Sequence, residues 1–333
     1  MSKSKIVGID LGTTFSAIAV LNDSGRPEVL SNFETNQKIT PSVVYIKPGE
    51  SSAIVGEKAI NFYKSEPNNV ISATKKQMEN EAVWSLQEGK FISKNTAEIG
   101  DGEYTPAQIS SFILSKVKEL NEDTSDVVIT VPAMFADTAR TATLDAAKLA
   151  DLNVIELINE PTAAILHYAS MPDIDVSGKI MVFDLGGGTF DVTLAEVNDK
   201  DVEILNSRGD KNLGGHDFDE LIIEDINKEY SKEKGGSLTD KEKRQFFPLA
   251  EQIKKTLSVK NEASGFIDGN AGPFEYKLTR DKFNILIDGP LSKIKMLIES
   301  VLDTKNFKNS DISKILLVGG STRIPIISKI IED

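Results

Sequence analysis

Cysteine is absent from the 333 residues, which removes disulfides, thiolate nucleophiles and thiolate metal cages from consideration. Histidine is scarce: only His167 and His216 occur, too far apart for the short paired spacing of a histidine zinc site. No run approaches the roughly 18 apolar residues of a membrane span. Met1 to Lys5 leads straight into strand-like Ile6 to Ile9 without the apolar stretch of a secretion signal, so a cytoplasmic protein is expected. Positive charge is in deficit, with 38 Lys and Arg against 51 Asp and Glu and a net charge of −13. Diffuse attraction to nucleic acid or an anionic membrane is therefore weak, and neither is an expected partner. A local anion site made of backbone N–H groups stays available. Two familiar phosphate motifs are missing as well: there is no Gly-x-x-x-x-Gly-Lys-Ser/Thr, and no Gly-x-Gly-x-x-Gly opens a helix after a first strand.

What the chain does contain is an acidic, glycine-rich turn that occurs twice, as Ile9-Asp10-Leu11-Gly12-Thr13-Thr14 and as Phe183-Asp184-Leu185-Gly186-Gly187-Gly188-Thr189. Each copy joins two apolar stretches that read as strands. A carboxylate at a strand end, followed by Gly and Thr, lets backbone N–H groups and a hydroxyl approach phosphate oxygens while the acid holds a hydrated divalent cation. One such turn is weak evidence, because Asp and Gly are ordinary turn residues. Two copies in one chain point to a shared metal and phosphate site. At 40% hydrophobic, the chain is also long enough for two cores, since single cores stop growing near ~250 residues.

The elements around the turns repeat too. Lys5 to Asp10 and Phe15 to Leu21 predict a hairpin, and Ser42 to Ile46 a further strand. Thr105-Pro106 caps a helix with Ile109, Phe112, Ile113, Val117 and Leu120 at helical spacing. Asp126 to Val131 predicts a strand ended by Pro132, Phe135 to Ala150 a helix, Val154 to Ile158 a strand and Pro161 the start of another helix. From Lys179 the order restarts with strands at Ile180 to Phe183, Phe190 to Val197 and Asp201 to Leu205. The polar stretch from Asn227 to Arg244 predicts two solvated helix faces around Gly235-Gly236. Leu291, Ile294, Leu297, Ile298, Val301 and Leu302 form a core helix stripe, and Ile315 to Val318 a buried-type strand turned by Gly319-Gly320.

Taken in order, Ile9 to Thr14, Val131-Pro132-Ala133, Ile158 to Ala164, Phe183 to Val192, Gly214-Gly215-His216-Asp217-Phe218-Asp219 and Val318 to Pro325 closely resemble the nucleotide-binding domain of Hsp70-family chaperones, within the actin, sugar kinase and Hsp70 superfamily. The resemblance implies an α/β, two-lobed actin-like ATPase fold of duplicated ribonuclease H-like sheets, with the nucleotide held between the lobes. It divides the chain into lobe I, 1–172 (core 1–40 and 102–172, small subdomain 41–101), and lobe II, 173–333 (core 173–214 and 288–333, small subdomain 215–287).

It also implies roles for particular residues. Asp10, Asp184 and Asp191 hold water ligands of Mg2+, with K+ as a further ion. Gly12, Thr13 and Thr14, Gly186, Gly187, Gly188 and Thr189, and Gly214 and Gly215 take the ATP or ADP phosphates. Glu160, Asp191 and Thr189 act around the attacking water. Lys75 stabilises charge near the γ-phosphate, although composition alone reads Lys75-Lys76 as an exposed basic pair. Glu251, Lys254, Lys255 and Ser258 fall at i, i+3, i+4 and i+7 on one helix face and, with Gly319, Gly320, Ser321 and Arg323, take the adenosine. Lys255 stands where the family carries an arginine, and lysine lacks the stacking guanidinium, so somewhat weaker adenine binding is expected.

Other departures carry expectations of their own. The family domain continues beyond the Arg323 motif, so lobe I is expected to lack its C-terminal helix, and peptide clients would need a domain absent from this sequence. Glu156 replaces the arginine that docks J-domain co-chaperones in the family, which argues against ordinary J-protein stimulation; an exchange factor remains an expected partner. Pro132 and Arg140, the family's relay pair, are both present. The leading expectation is an ATP-binding, slowly ATP-hydrolysing chaperone domain whose nucleotide state controls lobe closure. The alternatives are a nucleotide-stabilised scaffold with impaired hydrolysis and a sugar- or acetate-type kinase of the same fold.

Overall fold

The computed structural model describes residues 6–33, 35–50, 52–93, 99–121, 124, 126–171, 177–198, 201–303 and 307–332. The expected boundary at residues 172–173 and the terminal Asp333 lie outside the described residues. Two compact units make up the chain: unit 1 comprises Met1–Phe62 and Asn68–Ser170, and unit 2 comprises Tyr63–Pro67 and Met171–Asp333.

Unit 1 is built on a sheet in the order Asn153–Asn159, Asp126–Val131, Val7–Leu11, Phe15–Leu21, Pro27–Val29, with Thr40–Pro41 also paired to Phe15–Leu21. The first three strands are parallel, and Val7–Leu11 folds back antiparallel onto Phe15–Leu21 through Gly12 to Thr14. Because side chains alternate along a strand, Val7, Ile9 and Leu11 enter the core while Gly8 and Asp10 face the other way. Helices Pro106–Lys118 and Asp137–Leu149 cover the core face, supplying Ile109, Ile113, Leu114, Val117, Ala146 and Ala147 against Val7, Ile9, Val127 and Ile129. The first helix starts where its cap dictates: Thr105 Oγ1 accepts from the Gln108 N–H and Gln108 Oε1 from the Thr105 N–H, with Pro106 in the first turn. The second starts at Asp137 and not at Phe135, because the Phe135 N–H closes a turn on the Pro132 carbonyl and Ala136 is extended.

Unit 2 repeats that local plan. Gly178–Leu185 folds back antiparallel onto Phe190–Asn198, which pairs with Asp201–Asp210, and Lys314–Val318 lies parallel on the other side of Gly178–Leu185. Each acidic turn therefore joins an antiparallel pair whose first strand has a parallel neighbour. Helices Gly215–Lys234, Phe247–Val259 and Asp288–Asp303 and the hairpin Glu262–Gly269/Gly272–Thr279 enclose a core centred on Phe183, Phe190, Phe218, Ile222, Ile253 and Ile294.

Two expectations are corrected here. The Asn227 to Arg244 stretch does form helix ends around Gly235, which is left-handed at φ 74, but it is not wholly solvated. Tyr230 is fully buried; its hydroxyl accepts from the Ala271 N–H at 2.7 Å, and its ring meets Phe274 edge-on. Lys314–Val318 is not a buried-type strand either. Ile315 and Leu317 are 39% and 47% exposed, because they alternate onto the same face of the strand and that face is the more open one.

Tyr230→Ala is expected to lower the stability of unit 2 by about 3–5 kcal/mol, while Lys232→Ala, two residues on and exposed, costs less than ~0.5 kcal/mol. Pulse proteolysis in urea, followed on unit 2 peptides, checks this, since the single tryptophan, Trp84, belongs to unit 1.

Candidate functional site

In unit 1 the register sets Asp10 beside Thr130, whose hydroxyl donates to Asp10 Oδ1 at 2.9 Å. Pro161 in the first turn of helix Glu160–Ala169 places Glu160 at its start, where the unpaired N–H groups of the first turn favour an anion. Lys75 sits on the short 3-10 turn Thr74–Gln77, entered through left-handed Ala73 at φ 53. It is buried, not exposed as composition suggests. Its ammonium donates to Glu160 Oε1 at 2.5 Å and lies over the Phe135 ring, 5.8 Å from the centroid. Burial pushes the Glu160 carboxyl above its ordinary value; the Lys75 charge opposes this and the Asp10 charge adds to it. Asp10, Lys75 and Glu160 thus act on one another electrostatically. Arg140 braces the same region by donating to the Phe135 carbonyl and to Asn159 Oδ1. Thr13 is buried and Thr14 half-buried at the hairpin turn, where a side chain on Gly12 would run into the Phe15 carbonyl.

In unit 2 the antiparallel register sets Asp184 directly opposite Asp191. Like charges opposed across strands repel, and Asp191 is almost completely buried. A cation beside the pair would relieve both. The turn between them closes with the Gly186 N–H donating to the Thr189 carbonyl at 3.1 Å. Its Gly186 carbonyl accepts from the Gly215 N–H at 3.0 Å and from Ser321 Oγ at 2.9 Å, and its Gly187 carbonyl accepts from the His216 N–H at 2.6 Å.

Three turns distant in sequence therefore meet: Gly186 to Thr189, Gly214-Gly215, and Gly319 to Ser321. Glycine is required at their joint. A Cβ on Gly214 would lie 2.6 Å from the Gly188 nitrogen, one on Gly215 2.6 Å from Ser321 Oγ, and one on Gly319, left-handed at φ 87, would strike the Leu185 carbonyl. A Cβ on Gly320 would meet nothing.

The helix that was expected to present Glu251, Lys254, Lys255 and Ser258 on one face treats them unequally. Lys255 is exposed and paired with Glu251 at 2.7 Å. Lys254 turns inward, donating to the Gly215 carbonyl and to Asp219 Oδ2, each at 2.7 Å. Ser258 is half-buried near the Lys254 carbonyl, and Arg323 is exposed. Asp219 has no role in the sequence reading. Its signal was an acid on the apolar stripe of Phe218, Ile222, Ile226 and Tyr230. Burial pushes its carboxyl up to about 7, against the pull of Lys254.

Taken by itself, each unit carries donors of the kind that a phosphate-bearing ligand and its metal use. Unit 2 offers a bare-backbone cradle that side chains would fill, together with two opposed carboxylates; unit 1 offers a carboxylate, a buried ammonium and two threonines. Among the described residues no three His, Asp or Glu side chains form a direct metal cage.

A family model described as Hsp70 protein matches residues 6–333, and the mixed α/β architecture is consistent with that family's actin-like ATPase fold.

Gly319→Ala is expected to destabilise unit 2 by about 1–3 kcal/mol or more, and Gly320→Ala to stay within ~0.5 kcal/mol. Thermal and urea unfolding of the pair reads the difference.

Proposed function

The chain belongs to the Hsp70 family of chaperone ATPases, and on that premise we propose that it binds ATP with Mg2+ and hydrolyses it slowly, nucleotide state controlling lobe closure. The observation that carries the reading is the burial of Lys75 against Glu160, beside Asp10. Phosphoryl transfer to water needs neutralised phosphate charge and an oriented water more than covalent work by the protein. Lys75 supplies a fixed positive charge in a site of low polarity, where its effect on developing phosphate charge is large. Glu160 and Asp191 orient and polarise the attacking water; Thr189 and Thr13 position phosphate oxygens with Thr14 and the glycine turns. Mg2+, when bound, neutralises phosphate charge, and Asp10, Asp184 and Asp191 are the residues that would hold its water ligands. Lys254, Ser321, Gly320, Glu251, Lys255, Ser258 and Arg323 take the nucleoside side.

The family brings exchange factors and co-chaperones as general partners. An altered J-domain contact is part of the proposal and has local support. A register shift leaves Ile155 as an extra residue, pairing Val127 with Val154 and Val128 with Glu156, so that Ile155 and Glu156 are both exposed on an edge strand. No helix among the described residues is long and apolar enough to cross a membrane.

Calorimetry with Mg-ATP and phosphate release without an added acceptor test the proposal; no binding at millimolar nucleotide would sink it. Lys75→Met is expected to keep Mg-ADP binding while cutting single-turnover hydrolysis by about 100-fold or more. Trp84 emission confirms that unit 1 stays folded in the variant.

A further inference from the structure

Asp219 is a buried carboxylate without a part in the reading above. It stands one helical turn after Gly215 in Gly215–Lys234 and is 3% exposed. Its Oδ2 accepts from Lys254 at 2.7 Å, and its Oδ1 is buried with no hydrogen-bond partner. The same ammonium donates to the Gly215 carbonyl. A Cβ on Gly215 would lie 2.9 Å from Lys254 Nζ and 2.6 Å from Ser321 Oγ. The lysine head is thus anchored at the joint of the three glycine turns.

As a stabilising device the pair is poor. Removing two charges from water costs several kcal/mol per ion, and buried pairs often replace well by apolar groups; here one carboxylate oxygen is left unsatisfied as well. As a positioning device it is effective, because a lysine stem has four rotatable bonds whose freedom must otherwise be lost when a ligand binds. Lys255, exposed on the same helix, instead pairs with Glu251 one turn before it at 2.7 Å.

We propose that Asp219 is a positioning residue for the nucleotide, holding the Lys254 ammonium at the glycine joint so that it meets the bound nucleotide already oriented. This deepens the nucleotide reading above and depends on it. The tether is strongest with Asp219 ionised. The charged groups facing Asp219 from helix Phe247–Val259 are Lys254, Lys255 and Glu251; Asp217 and Glu220 flank it on its own helix, and the Gly320–Arg323 turn brings the uncharged Ser321 to the joint. With its carboxyl pushed up to about 7 by burial, Asp219 takes up a proton as pH falls from about 8 to 6. The tether loosens in that window, and nucleotide affinity falls with it.

Calorimetric titration of the chain with ADP, for wild type, Asp219→Asn, Lys254→Met and the double variant, tests the assignment. Asp219→Asn is expected to weaken ADP binding roughly tenfold at pH 8, Lys254→Met by a similar factor, and the double variant no further than Lys254→Met alone. Wild type is expected to lose affinity between pH 8 and 6 beyond any loss shown by Asp219→Asn, which cancels the nucleotide's own titration. A variant that melts earlier yet binds ADP like wild type would overturn the inference, as would additive effects in the double variant. If Asp219→Asn does not fold, the pH slopes of wild type and Lys254→Met decide, and equal slopes overturn it. Wild type that binds no ADP removes the nucleotide reading and this inference together; wild type that binds while Asp219→Asn binds equally well removes this inference alone.

Discussion

A lysine ammonium taken out of water must find an anion and further acceptors nearby, or it gives up its proton. Both units of this chain meet that constraint, and much of their local design follows from it. In unit 1, Lys75 is held by Glu160, and Glu160 needs a helix start to place it, which Asn159-Glu160-Pro161 provides. In unit 2, Lys254 is held by Asp219 and the Gly215 carbonyl. That carbonyl sits correctly only because Gly215 has no side chain to press on Ser321. In both cases the carboxylate bears the electrostatic strain, its protonated form favoured by burial and its ionised form by the lysine.

The frame was legible because it depends on local signals. Thr105-Pro106 with Gln108 encodes a cap that needs no tertiary partner, and the alternation of Val7, Ile9 and Leu11 puts Asp10 on the opposite face of the strand wherever the sheet packs. The two acidic turns were likewise readable as hairpins, since each lies between strand-forming runs. What composition misjudged were side chains whose setting is decided at long range. Lys75 and Lys76 look equivalent in sequence; only the distant Glu160 and Phe135 separate them. Lys254 and Lys255 differ for the same kind of reason, Asp219 lying 35 positions away along the chain.

Tyr230 and the strand Lys314–Val318 show the two directions of error. A charged stretch can hide one aromatic that anchors a core, because polar neighbours on a helix say nothing about the residue pointing inward. An apolar run can form a strand with one face more open, because hydropathy does not report what covers each face. The opposition of Asp184 and Asp191 belongs with these. Their spacing suggested one loop, but only the antiparallel register sets the two carboxylates face to face.

The carbonyls of Gly186 and Gly187 both point inward, occupied by donors from Gly215, Ser321 and His216. In a trans peptide the N–H lies opposite the C=O, so the peptides that follow these carbonyls direct their positive ends away from the joint. Folding alone thus gives this turn a sign. That orientation is written in the backbone, so a change of side chain at the rim leaves it in place.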